Sequence, residues 1–109
     1  MRFALVLPLL LAATACSPAY VARYNGTNHR IDAPPVAPAN VLVVKSRDNL
    51  SSQWTEIGTY RGKAPTVVEA MDIAKEQCGA KGANLYILNV EPYASGGGFR
   101  VDGICALRQ

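Results

Sequence analysis

Cysteine offers the widest chemical scope in this chain of 109 residues, and its three copies, Cys16, Cys78 and Cys105, stand far apart. That spacing rules out a Cys-x-x-Cys redox motif and does not supply the four closely placed ligands a structural zinc takes. No metal and no cofactor is expected. Histidine occurs once, at His29, in a segment expected to be a solvated tether, so no triad can be assembled and catalysis is not expected. Gly96-Gly97-Gly98 lacks the Lys and Ser or Thr that follow in a phosphate-cradling loop, and it precedes a strand-like run, which makes it a hairpin tip.

Cys16 has its own context. Arg2 gives a positive start, Phe3 to Leu11 form an apolar stretch too short for a permanent span, and Ala13-Thr14-Ala15 lead into the cysteine. Residues 1–15 therefore read as a lipoprotein signal peptide, with Cys16 the lipidated first residue of the mature chain. The position three before the cysteine is Ala13 rather than the usual Leu, and Ala-Thr-Ala also suits ordinary signal peptidase, which would leave an unlipidated thiol in a soluble periplasmic or secreted protein. Ser17, in place of an Asp, points to the outer membrane rather than the inner. Each buried methylene of an acyl chain such as palmitate contributes about 0.8 kcal/mol, so two or more chains on Cys16 hold a protein to the bilayer.

Export also decides how to read the other two cysteines. One small domain remains, near the size at which apolar burial only just offsets conformational entropy, and an oxidising compartment makes a Cys78–Cys105 disulfide the expected staple. The basic excess is mild, 11 Lys and Arg against 8 Asp and Glu. The basic residues are scattered, so no nucleic-acid partner is expected.

These residues need elements to position them. Residues 16–40 contain Pro18, Pro34, Pro35 and Pro38 and show neither helical nor alternating periodicity, which predicts a flexible tether, extended along its proline-rich end. The folded domain is expected over 41–109. Val41-Leu42-Val43-Val44 suits a buried strand, and Trp54 to Tyr60 a second. After Pro65, Thr66 and Glu69 have capping-box spacing, and Val67, Ala70, Met71, Ala74 and Cys78 share one helical face until Gly79 or Gly82 stops the helix. Asn84 to Val90 reads as a central strand, apolar on both parities. Residues 91–98 read as a loop. In the last strand Phe99, Val101, Gly103, Cys105 and Leu107 face one way and Arg100, Asp102 and Arg108 the other. The expectation is an α+β fold in ββαββ order, with a small antiparallel-type sheet of about four strands packed on one helix.

The segments Trp54-Thr55-Glu56-Ile57-Gly58-Thr59-Tyr60, Cys78-Gly79-Ala80-Lys81-Gly82-Ala83-Asn84-Leu85-Tyr86-Ile87 and Gly103-Ile104-Cys105-Ala106 resemble small proteobacterial lipoproteins of the RcsF-like kind. The resemblance covers about the last half of the chain. It implies a lipid on Cys16, disulfide positions at Cys78 and Cys105, and an outer-membrane, periplasm-facing protein of the cell envelope with a task in stress sensing. The stress sensor carries two disulfides, whereas this domain has cysteines for one. The expected function is thus a non-enzymatic binding or sensor module, anchored to the membrane through Cys16 and meeting an envelope protein partner, with Tyr93 and Phe99 as contact residues. The alternative is a periplasmic or secreted inhibitor of a hydrolase that inserts loop 91–98.

Overall fold

The computed structural model describes residues 19–45 and 53–108. The signal segment and Cys16 lie outside the described residues. Among the described residues six strands and one long helix run in chain order: β1 Val21–Gly26, β2 Leu42–Val44, β3 Trp54–Ala64, helix α1 Val67–Ala80, β4 Leu85–Leu88, β5 Tyr93–Ser95 and β6 Gly98–Arg108. They form one sheet in the order β1-β3-β6-β4-β2, with β5 paired to β6, and α1 lies across one face. The fold is α+β as expected, but the sheet is larger and mixed.

Length matching explains the main departure. β3 and β6, each of 11 residues, pair along almost their whole length, from Trp54 opposite Arg108 to Ala64 opposite Phe99. The three residues of β2 find their match in the short β4, alongside which they run parallel, Leu42 opposite Leu85 and Val44 opposite Ile87. β2 is thus an edge strand, and Leu42 is exposed although Val41 just before it is buried. The two added strands, β1 and β5, come from segments that lack a strong strand pattern. β5 is a three-residue arm of a hairpin inside 91–98.

β1 lies in the stretch expected to be tether. Val21 to Gly26 pair antiparallel with Lys63 to Gly58, and Tyr24 packs against the core. Beyond β1, the Ile57 carbonyl at the bulge in β3 accepts from the backbone N–H groups of Thr27 and Asn28 at 3.0 and 3.3 Å. Val36 then donates to the Gly79 carbonyl at 2.8 Å, and a 3₁₀ turn, Pro38–Asn40, delivers Val41 into the core. Ile31 and Val36 pack on the helix-side cluster. Residues 20–40 are therefore built onto the domain, because their backbone groups find partners on β3 and on the end of α1 that water would otherwise have to supply.

α1 begins as its sequence dictates: Thr66 is extended, and its hydroxyl accepts from the Glu69 backbone N–H at 3.2 Å. Ala70, Ala74, Cys78 and Gly79 are the buried stripe. Met71 packs at its edge and Val67 stays partly exposed. Gly82, at φ +95°, makes the turn that leads out of the helix, a conformation that glycine adopts without steric cost. On the helix side of the sheet three tyrosines lie over three glycines, Tyr24 over Gly58, Tyr60 over Gly62 and Tyr86 over Gly103, and any Cβ at those glycines would collide with the rings. The sheet thereby makes room for its largest buried side chains. A second cluster, Leu85, Ile87, Ile104 and Ala106 with Val44 and Trp54 against it, occupies part of the opposite face.

Candidate functional site

Antiparallel register decides which side chains meet on the face turned away from α1. Arg23 stands directly opposite Arg61, Arg61 opposite Asp102, and Lys63 opposite Arg100. Like charges directly opposite one another cost some stability. Arg61 Nε lies 3.4 Å from Asp102 Oδ2, and Asn89 Nδ2 donates to Asp102 Oδ1 at 3.1 Å. The carboxylate is thus engaged at both oxygens, and among the described residues Arg23 has no carboxylate of its own. Arg23, Asn25, Thr59, Arg61, Asn89 and Asp102 line a groove of about 360 Å³. Its chemistry is that of a cationic slot with amide and hydroxyl donors, suited to a carboxylate or phosphate presented edge-on.

Lys63 stands apart from this slot. It is only 6% exposed, and its ammonium donates to the Gly96 carbonyl at 2.9 Å. Gly96 and Gly97 both have positive φ, +52° and +82°, between the paired residues Ser95 and Gly98. This is the geometry of a two-residue type I′ hairpin, whose twist suits its flanking strands. The glycine run is therefore an ordered tip clamped from beneath by Lys63.

The residues expected to do chemistry are placed as follows. Cys78 and Cys105 are both fully buried and form a disulfide that joins α1 to β6 across the core, with Cα atoms 5.3 Å apart. Cys16 lies outside the described residues. Tyr93 is 46% exposed on β5, while Phe99 on β6 is half-buried. Tyr93 pairs with Arg100 and Phe99 with Ala94, so the two aromatic side chains point to opposite faces of the hairpin and do not make one contact patch. His29 lines a separate cavity of about 560 Å³ with Tyr24, Asp32 and Lys81, and the Lys81 ammonium sits 5.5 Å from the Tyr24 ring centre. Among the described residues no three His, Cys, Asp or Glu side chains come close enough to hold a metal. The arginine slot was missed in the sequence because Arg23, Arg61 and Asp102 come from three separate strands. Only register brings them together.

The core tyrosines set a different electrostatic feature. Burial pushes the Tyr60 phenol up to about 12, with the Glu76 carboxylate adding to it. Tyr86 is raised further, again by burial first and then by Asp102 and Tyr60. The Tyr86 hydroxyl donates to the Tyr60 carbonyl at 3.0 Å, and the two rings meet edge to face at 6.1 Å. Both phenols therefore stay neutral over the ordinary pH range, and the Tyr86 hydroxyl is a structural donor in the core.

The fold as a whole has a solved counterpart. The chain is similar to the Francisella virulence factor FvfA, with a TM-score of 0.57 at 16% identity, over 83% of this chain and 99% of that one. The likeness is one of fold. No protein family and no curated protein matches the sequence.

Proposed function

We propose that the chain is a lipid-anchored lipoprotein of the outer membrane, facing the periplasm, that serves as a non-enzymatic binding or sensor module in the manner of the RcsF-like lipoproteins. The supporting observation is the disulfide in the core. With Cys78 and Cys105 joined there, Cys16 is the one cysteine left over of three, and it stands directly after an export-type apolar segment where a thioether-linked lipid is attached. A buried disulfide also suits an oxidising compartment.

In this reading the arginine slot is the recognition surface, and its ligand is an acidic group on an envelope protein. Two measurements test the proposal. The N-terminal peptide of the processed protein carries the mass of acyl chains on Cys16, and Cys16→Ser moves the protein into the aqueous phase of a detergent extraction. A photo-crosslinker at Thr59 traps an envelope partner in intact cells, and Arg23→Glu with Arg61→Glu lowers that capture by about tenfold, as expected for the loss of two charged hydrogen-bonding groups at a contact. An unmodified Cys16 overturns the anchor, and crosslinking that is unchanged in the double variant overturns the slot.

A second reading has one observation in its favour. The Lys63 clamp pre-orders the Gly96-Gly97 tip, which lowers the ordering cost of inserting residues 91–98 into a hydrolase active site. Deleting Ser95 to Gly98 removes inhibition if that reading holds and leaves partner crosslinking at Thr59 intact if it does not.

A further inference from the structure

Among the described residues six large apolar side chains are exposed: Tyr20, Leu42, Val67, Val68, Val90 and Tyr93. All but Leu42 gather at one end of the sheet. Val21, Lys63, Arg100 and Tyr93 form a single rung across β1, β3, β6 and β5, which places Tyr20 at one end of that rung and Tyr93 at the other. α1 starts just beyond it, three residues after Ala64, and Tyr20 donates to Glu69 in the first helical turn at 2.7 Å. Val67 shares a groove with Glu91 and Pro92, next to Val90. Leu42 and Trp54 belong to the opposite end, beside Leu85 and Arg108.

The chain reaches this end from Cys16. Four residue steps separate Cys16 from Tyr20, at most about 14 Å fully extended, whereas the 11 residues of β3 put the far end of the sheet about 37 Å away. We infer that the end bearing Tyr20, Val67, Val68, Val90 and Tyr93 rests on the lipid bilayer itself, its tyrosines at the head-group level and its valines against the acyl boundary. The inference rests on the anchoring of Cys16 proposed above. Tyrosine suits this position because its ring is apolar and its hydroxyl stays wet. Arg100 lies on the rung itself and complements anionic head groups. Two acids also lie at this end, Glu69 hydrogen-bonded by the neutral Tyr20 hydroxyl and Glu91 3.9 Å from the Lys45 ammonium. A short leash of this kind fixes the domain's orientation, with the sheet rising away from the membrane.

The single tryptophan, Trp54, provides the control for a depth measurement. The protein as processed by expressing cells is seated in vesicles of phosphatidylethanolamine and phosphatidylglycerol carrying brominated acyl chains. It is held there by its own lipid or, where Cys16 bears none, by coupling the Cys16 thiol to a maleimide phospholipid. In a Trp54→Phe, Tyr93→Trp variant the reporter at position 93 is expected to be quenched about threefold or more over native Trp54 in the otherwise unchanged protein, as an interfacial aromatic should be. Adding Val68→Ser and Val90→Ser lowers the quenching at position 93. Equal quenching at 54 and 93, or none at either, overturns the inference. The mass on Cys16 separates the two failures: an acylated protein with an unquenched reporter sinks the bilayer contact alone, and a bare Cys16 with a quenched reporter sinks the anchor alone.

Discussion

At the scale of single residues, the core is held by one covalent bond and one polar contact between tyrosines. The Cys78–Cys105 bond closes a loop of 27 residues in sequence separation, which restricts the unfolded chain by about 3.5 kcal/mol in the chain-entropy picture. Replacing both cysteines with alanine is therefore expected to lower the melting temperature by roughly 15 to 25 °C, given about 4 to 8 °C per kcal/mol in domains of this size. Thermal denaturation followed by circular dichroism checks it, and a shift of only a few degrees would show that the bond adds little. The tyrosines give a pH signature. Folded Tyr60 keeps its proton up to about 12, against 10.0 for the free phenol, so between those values the unfolded state loses a proton that the native state retains. Stability is then full below about pH 10 and falls as pH rises through that window. Urea unfolding at a series of alkaline pH values measures the slope, and Tyr60→Phe is expected to make it shallower. Both cysteines were legible in the sequence, since helix and strand periodicity each put a thiol on an apolar face. The arginine slot was not, because nothing local relates Arg23 to Arg61.

At the scale of elements, the helix shows where sequence pattern is enough and where contact overrides it. Its cap, its buried stripe and its exit were readable because each depends on residues within a turn or two of one another. Gly79 is different. By propensity alone, replacing a helical glycine with alanine stabilises by about 1 kcal/mol. Here the added Cβ would collide with the Val36 carbonyl oxygen, a backbone atom, and the Val36 N–H is itself bonded to the Gly79 carbonyl. The segment around Val36 must then move, and overpacking of this kind costs about 1 to 3 kcal/mol. Gly79→Ala is accordingly expected to destabilise by roughly 1 to 2 kcal/mol in chemical denaturation, the opposite sign to the propensity argument. A stabilised variant would mean that residues 33–41 do not dock on the helix. The strands divide in the same way. β4 and β6 announced themselves because both lie inside the sheet. β1 did not, because an edge strand with Ala22, Tyr24 and Gly26 on its inner side carries little hydrophobic alternation, and the prolines after it pointed to a linker.

At the scale of the whole molecule, the question is where the folding unit begins. Composition put its start at Val41, and a chain of 41–109 retains the disulfide, the helix and five of the six strands. It loses the side chains of Tyr24, Ile31 and Val36 from the core cluster and leaves Ile57, with its much-used carbonyl, on an open edge. Three partly buried apolar side chains are worth roughly 3 to 5 kcal/mol together, and the pairing of β1 is lost with them. Small domains have about 5 to 15 kcal/mol in all, so the shortened chain stands at the edge of stability. A protein starting at Ala19 is expected to unfold in one sharp transition, and one starting at Val41 to melt broadly and at far lower temperature, with its long β3 edge prone to association. Scanning calorimetry of the two, each oxidised, decides between them. Equal midpoints would return residues 19–40 to the role of tether and, with the anchor proposed for Cys16, give the domain a reach of tens of ångströms from the membrane. Unequal midpoints leave only the few residues between Cys16 and Tyr20 as a leash, so that the module proposed above, if anchored through Cys16, works beside the bilayer rather than at a distance from it.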